Sequence, residues 1–261
     1  MSKNDGKISC EVVDTNEVCE YCGRKIQEVL IMGVSIRQTC SCIIEKRQKE
    51  ERKAIIEQVT RVQDELRIKA GLNKRQMTQT FINFIPDKGQ IEAYEFCMKF
   101  ARKLSANEDK GLYITGAVGS GKTHLASAII NSIIDNRELN YAEILNTELN
   151  PRMMFYSMIG LLNDIRRTYS TNDISQDLIT RICKTPLLVI DDIGVEKTSD
   201  WVSERLFEIV DYRYGNMLPL VITTNLTPSE LVVAIGERVY DRIRSMCKLV
   251  AITSKGQRRT A

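Results

Sequence analysis

A chain of 261 residues, 43% hydrophobic and 27% charged, is long enough for one substantial core plus a small second unit. A net charge of only +3 excludes a global basic field as the means of gripping nucleic acid, so any such contact rests on local patches. No apolar run reaches membrane-span length and residues 1–17 are polar, so the expectation is a cytoplasmic protein with no membrane partner.

Eight cysteines in such a chain point to metal ligation or core thiols before disulfides. Cys19 and Cys22 are followed, after a short loop, by Cys40 and Cys42, the paired spacing of a zinc ribbon or treble clef. Four thiolates there can surround one Zn2+ tetrahedrally. Gly23 permits a tight knuckle whose backbone N–H groups support the sulfurs. Residues 1–50 hold so few large apolar groups that the metal would stand in for a core. Reduced surface thiols are the plain alternative. Cys10, Cys97, Cys183 and Cys247 read as ordinary thiols.

Residues 43–72 are highly charged, with Ile55, Ile56, Val59, Val62 and Leu66 recurring at three- and four-residue steps. That spacing predicts a solvated helix with one narrow apolar stripe, serving as a spacer or as a partner-binding surface. Gly71 and Asn73 supply its stop signal. The expected organisation is a zinc-binding unit over 1–50, a charged helical linker over 51–75 and a nucleotide-binding unit over 76–261. In the last, a helix is predicted over 90–104. Phe81 and Phe84 before it belong to the core or flank a base.

Gly116-Ala117-Val118-Gly119-Ser120-Gly121-Lys122-Thr123 fits the G-x-x-x-x-G-K-[ST] phosphate loop. The apolar run 112–115 leads in as a strand, and Leu125, Ala126, Ile129, Ile130 and Ile133 lead out at helical spacing, with His124 on the first turn. The glycines let successive N–H groups curl inward around a phosphate, and the helix N-terminus adds partial positive charge. Lys122 can reach the β- and γ-phosphates of ATP, and the Thr123 hydroxyl can hold Mg2+.

A second strand is predicted over 153–157 and a helix over 158–169. Arg166 and Arg167 end that helix, where they suit its dipole or touch a phosphate backbone. Residues 187–190 read as a central parallel strand ending in Asp191 and Asp192. In a doubly wound sheet those acids arrive beside the phosphates: Asp191 to hold Mg2+, Asp192 to orient or deprotonate the attacking water. A pair of acidic helix caps is the alternative. A strand over 218–222 ends in Thr223-Thr224-Asn225, where the Asn225 amide can bond the water or γ-phosphate, or simply form a turn. Helices over 201–214 and 236–244 and a strand over 249–252 complete the pattern.

In this order the pieces resemble the AAA+ ATPases of the DnaC/DnaI replicative helicase-loader family, over about residues 78–259. The resemblance rests on GSGKTHLA, LLVIDDIGVE, the TTN strand end and GERVYDRIR, with the cysteine head and charged helix matching the DnaI type. It implies a parallel five-strand sheet between helices, a head that grips a hexameric replicative DNA helicase, self-assembly into a homo-oligomer and contact with single-stranded DNA. By position it makes residues 116–123 the Walker A loop, Asp191 and Asp192 Walker B, and Asn225 sensor 1. Arg242 becomes the arginine finger acting in trans on a neighbour's γ-phosphate. Arg258 and Arg259 resemble sensor 2, which the short GQRR motif does not resolve between them, and Arg238 is a second basic contact. Asp192 replaces the usual Glu with one methylene less, which implies slow hydrolysis stimulated by partners. IstB-like transposition helpers share this pattern, and a nucleotide-gated binding module without turnover is a further reading.

Overall fold

The computed structural model describes residues 10–103, 110–140, 143, 149–169, 175–194 and 199–254. They fall into two units divided between Thr60 and Arg61. Arg258 and Arg259 lie outside the described residues.

In the first unit β1 (Cys10–Val18), β2 (Lys25–Ile31) and β3 (Val34–Arg37) form an antiparallel meander in that order. Met32 and Gly33 join β2 to β3 at φ 53° and 81°, the left-handed pair whose twist suits a two-residue hairpin. β1 reaches β2 through a knuckle in which the Gly23 N–H donates to the Cys19 carbonyl at 2.8 Å. The helix α1 (Ser41–Lys69) starts beside the second cysteine pair. Among the described residues of this unit, Cys19 alone is buried, so an apolar core is not what holds it together.

The apolar spacing along α1 has two fates. Ile55 and Ile56 are exposed, whereas Val62 and Leu66, with Ala70 and Leu72 after the helix, belong to the core of the second unit. The stretch through residue 75 is therefore not wholly solvated: Val62, Leu66, Ala70 and Leu72 face the core of the second unit, while Asp64, Glu65, Ile68 and Lys69 stay exposed. Arg67 is buried as well. Its Nε donates to Asn131 Oδ1 at 3.1 Å, and its other nitrogens meet Asp64 and Asp135. The Phe155 N–H donates to the Ala70 carbonyl at 2.7 Å, so the chain leaving α1 runs along a strand of the sheet.

That sheet consists of β4 (Gly111–Gly116), β5 (Met153–Ser157), β6 (Leu187–Asp191), β7 (Leu220–Thr224) and β8 (Cys247–Ile252). The order is β5-β6-β7-β4-β8, with all neighbours parallel. Alternate side chains serve two cores, as the two-residue period of a strand demands. Leu112, Ile114, Val189 and Val221 pack with the end of α1, with α3 (Ile91–Lys103) and with α4 (Lys122–Asp135). Tyr113, Leu188, Ile190 and Ile222 pack with α5 (Met158–Tyr169), α6 (Ser175–Lys184), α7 (Asp200–Gly215), α8 (Pro228–Ile235) and α9 (Glu237–Met246). The result is the expected parallel five-strand sheet between helices. A single turn, α2 (Lys74–Met77), precedes α3.

The strand predicted over 218–222 begins at Leu220 instead. Met217 has φ 52° and the Leu218 N–H still bonds the Arg213 carbonyl, so these residues finish α7 and Pro219 has no N–H to offer a ladder. The last strand starts earlier than 249, at Cys247. Arg213 itself is fully buried; its guanidinium donates to the carbonyls of Ile182, Cys183, Thr185, Pro186 and Pro219, satisfying the end of α6 and the approaches to β6 and β7. No helix among the described residues is long and apolar enough to cross a membrane.

Candidate functional site

The carboxyl ends of β4, β6 and β7 meet at one edge of the sheet. There β4 runs into the loop from Gly116 and the loop into α4, whose N-cap is Gly121. Gly119 and Gly121 have φ 79° and 97°, conformations in which L side chains are strained. Gly121 is constrained twice, because a Cβ there would lie 2.7 Å from Cε2 of Phe84. The Lys122 ammonium folds back over the loop and donates to the carbonyls of Gly116 and Ala117 at 3.0 Å each. Burial lowers its pKa, and the charges of Asp192 and Asp191 oppose that shift.

Thr123 points the other way. Its hydroxyl lies 2.9 and 3.1 Å from the two oxygens of Asp191, at the end of β6. Asp191 is 4% exposed and accepts a further bond, 2.6 Å, from the Thr223 hydroxyl. Burial is the main cause raising its pKa, with a smaller push from the charge of Asp192, while the Thr223 and Thr123 hydroxyls and Lys122 pull it down. A desolvated carboxylate fixed by hydroxyls and facing a phosphate-loop threonine is a donor set that suits a hard divalent cation. The residues present therefore fit Mg2+ and a triphosphate.

Asp192 has φ 57°, a rare backbone state for a residue with a Cβ. Its N–H donates to Thr223 Oγ1 at 2.9 Å, which braces the bend. A cavity of about 1180 Å³ opens over the loop, and Val118, Gly119, Gly121, Lys122, Thr123, His124, Asp192 and Asn225 all line it. Ser120 is fully buried beneath it. His124 Nε2 donates to the Thr80 carbonyl at 3.0 Å and its ring stands edge-on to Phe84, tying α4 to the segment before α3. Burial lowers the His124 pKa. Phe81 and Phe84 are both buried against Tyr94, and Phe84 also lines the cavity, so it serves core and pocket at once.

Arg242 is not brought to this cavity. Its Nε donates to Asp211 at 3.0 Å, its guanidinium lies 4.7 Å over the Tyr214 ring, and it lines a separate cleft with Phe207, Arg238 and Asp241. Arg166 stacks over Trp201 at 4.8 Å and Arg167 pairs with Asp164 at 3.6 Å. Sequence reasoning missed Thr223, which touches both aspartates, and Gln90, which bonds the phosphate loop. The Thr-Thr-Asn strand end contained the first signal. The pattern Asp87-x-x-Gln90 before a helix contained the second.

In the other unit the Sγ atoms of Cys19, Cys22, Cys40 and Cys42 all lie within 4.8 Å of one another. Neighbouring sulfurs are 3.3 to 3.5 Å apart, with none disulfide-bonded. Zn–S bonds of about 2.3 Å in a tetrahedron put sulfurs about 3.8 Å apart, so the quartet fits zinc with little adjustment. The knuckle supplies its support: backbone N–H groups of Tyr21 and Cys22 lower the Cys19 pKa, and that of Arg24 does most to lower Cys22 to about 6. Cys42 is pushed far up, chiefly by its bond with Cys19, because crowded thiols do not all ionise without a cation among them.

A glycine-cradled phosphate loop, a buried strand-end aspartate and a parallel sheet between helices define a phosphate-loop nucleotide-binding protein of the AAA+ fold. Residues 73–249 match the model of the bacterial DnaA ATPase domain, and the chain belongs to that family. It is 26% identical over 200 residues to YqaM of Bacillus subtilis (strain 168), a protein of uncharacterised function, covering 72% of this chain and 59% of YqaM. It is 25% identical over 178 residues to the replicative helicase loader DnaC of Escherichia coli (strain K12), covering 67% of each. Among solved structures, the DnaC helicase loader superposes with a TM-score of 0.58 at 26% identity, over 69% of this chain and 100% of that one. DnaI superposes at the same TM-score and 22% identity, over 70% and 95%, a likeness of fold.

Proposed function

We propose that this protein is a cytoplasmic, ATP-dependent loader of a replicative DNA helicase, acting at the initiation of replication. The observation that carries the reading is the Thr123–Asp191 contact at the foot of the phosphate loop, in a chain related to DnaC across two thirds of its length. Lys122 and the loop amides bind the β- and γ-phosphates. Thr123 and Asp191 hold Mg2+, which supplies charge neutralisation when bound. Asp192 orients the attacking water or takes its proton, and Asn225 hydrogen-bonds the water or the γ-phosphate. Arg258 or Arg259, which the short GQRR motif does not separate, acts as sensor 2 and adds charge to the same nucleotide.

Arg242 leaves Asp211 and Tyr214 to reach the nucleotide of a neighbouring protomer, so hydrolysis depends on assembly into a homo-oligomer. The shorter Asp192 keeps turnover slow, and single-stranded DNA or the helicase raises it. The zinc-binding cysteine head, residues 1–50, grips the hexameric helicase, and the ATPase unit extends to residue 261.

Lys122→Ala abolishes ATP binding in isothermal calorimetry on this reading, and unchanged binding ends it. A pull-down from the source cytosol with the full chain then tests the partner. Recovery of a hexameric helicase supports the loader. Recovery of a transposase moves the assignment to the IstB-like helpers, and the absence of phosphate release with every partner and DNA reduces it to a nucleotide-gated binding module.

A further inference from the structure

The turn before α3 carries one half of a capping box, the bond from the third-residue side chain back to the Asp87 N–H, and a further bond beyond it. The Gln90 Oε1 accepts from the Asp87 N–H at 2.9 Å, while Asp87 Oδ1 accepts from the Gly89 N–H at 2.9 Å. The far side of the turn is anchored to the end of β8: the Ser254 hydroxyl donates to Asp87 Oδ2 at 2.5 Å and the Thr253 N–H to the Gly89 carbonyl at 3.2 Å. Gly89 has no room for a Cβ, which would lie 2.7 Å from the Ser254 nitrogen. With its oxygen committed to the cap, the Gln90 amide is left with its NH2, and Nε2 donates to the Ser120 carbonyl in the phosphate loop at 2.9 Å. A glutamate accepts the Asp87 N–H as well as a glutamine does, but it has no N–H to give Ser120.

We infer that Gln90 is a positioning residue for the nucleotide. By holding the Ser120 carbonyl from the cavity wall it fixes the direction of the Gly121 N–H, which on this inference is offered to the phosphates. The reason is peptide geometry. The Ser120 carbonyl and the Gly121 N–H share one planar trans unit and point in opposite directions, so fixing one fixes the other. The Gly121 backbone is at φ 97°, where glycine has many alternatives, so this peptide needs an external hold more than its neighbours do. Phe84, packed where a Gly121 Cβ would be, closes the remaining side. The turn thereby links the phosphate loop to the chain leaving β8 through three hydrogen-bonded points.

This inference rests on the nucleotide reading, and the test separates the two. Full-length parent, Gln90→Glu, Gln90→Met and Lys122→Ala are titrated with a fluorescent ATP analogue and Mg2+, with inorganic tripolyphosphate as competitor and a thermal melt without nucleotide. Gln90→Glu keeps the cap and therefore the melting temperature. Gln90→Met removes the loop bond without adding charge, though it also gives up the bond from the Asp87 N–H, which the melt reports. Both weaken the analogue and tripolyphosphate alike, by roughly tenfold, the loss of one hydrogen bond aimed at a charged group. Parent-like affinity in either variant overturns the inference, as does a loss confined to the nucleotide with tripolyphosphate competition unchanged. Loss in Lys122→Ala alone leaves the nucleotide site standing and removes Gln90 from it, whereas parent-like binding by Lys122→Ala removes both.

Discussion

Asp191 keeps its orientation through hydroxyls delivered from two separate elements, Thr123 at the start of α4 and Thr223 near the end of β7. Thr223 does a second thing: its oxygen accepts the Asp192 N–H and so steadies a positive-φ residue. Thr223→Val keeps the shape and removes both bonds, leaving a buried acceptor and a backbone donor short of partners, at a cost of about 1–3 kcal/mol. The expected result is a lower urea midpoint and a Mg-dependent ATPase rate that falls more than ATP affinity does. A parent-like midpoint and rate would show that Asp191 needs no second hydroxyl. The sequence made Lys122, Thr123 and the two aspartates legible, because their spacing is dictated by the ligand. Thr223 was hidden because a strand buried on both faces has no alternating pattern, so its residues carry no sign of which side faces the site.

Elements were easier to read than their ends. The apolar stripe of Val202, Leu206, Ile209 and Val210 announces α7, but Arg213 looks like a cation placed for the helix dipole. Its place four residues after Ile209 on that stripe was the signal that it turns inward, where it satisfies the α6 carbonyls. Hydrogen-bond demand from a different element is not visible in local spacing. The cysteine knuckle is the opposite case, since chemistry fixes its pattern more tightly than packing does. Cys19 is the one buried side chain among the described residues of its unit, so on the proposed zinc reading the meander depends on the metal. The purified protein is expected to carry about one zinc per chain. A strong chelator should then make residues 10–40 readily cut by trypsin, and Cys19→Ser/Cys22→Ser should show the same cleavage before chelation. Equal protection of the metal-free chain would assign the fold of this unit to its hydrogen bonds alone.

At the scale of the molecule, the boundary drawn from charge density and the boundary drawn by packing differ. Residues 61–75 read as linker, yet they bring Val62, Leu66, Leu72 and the Arg67 cluster into the second unit. Burial of the three large apolar side chains stabilises that unit by roughly 4–9 kcal/mol as an upper estimate. A fragment of residues 61–261 is therefore expected to melt as one cooperative unit, and a fragment of residues 76–261 at a markedly lower urea midpoint. Matching midpoints would show those contacts to be incidental. The shorter fragment has a further liability, which follows from the bond between the Phe155 N–H and the Ala70 carbonyl. β5 stands at the margin of the sheet, and the segment after α1 covers its outward side. Stripped of that cover, β5 becomes a bare template for another chain's backbone, so the truncated protein is expected to self-associate into β-aggregates on concentration, whereas the longer fragment is shielded against this.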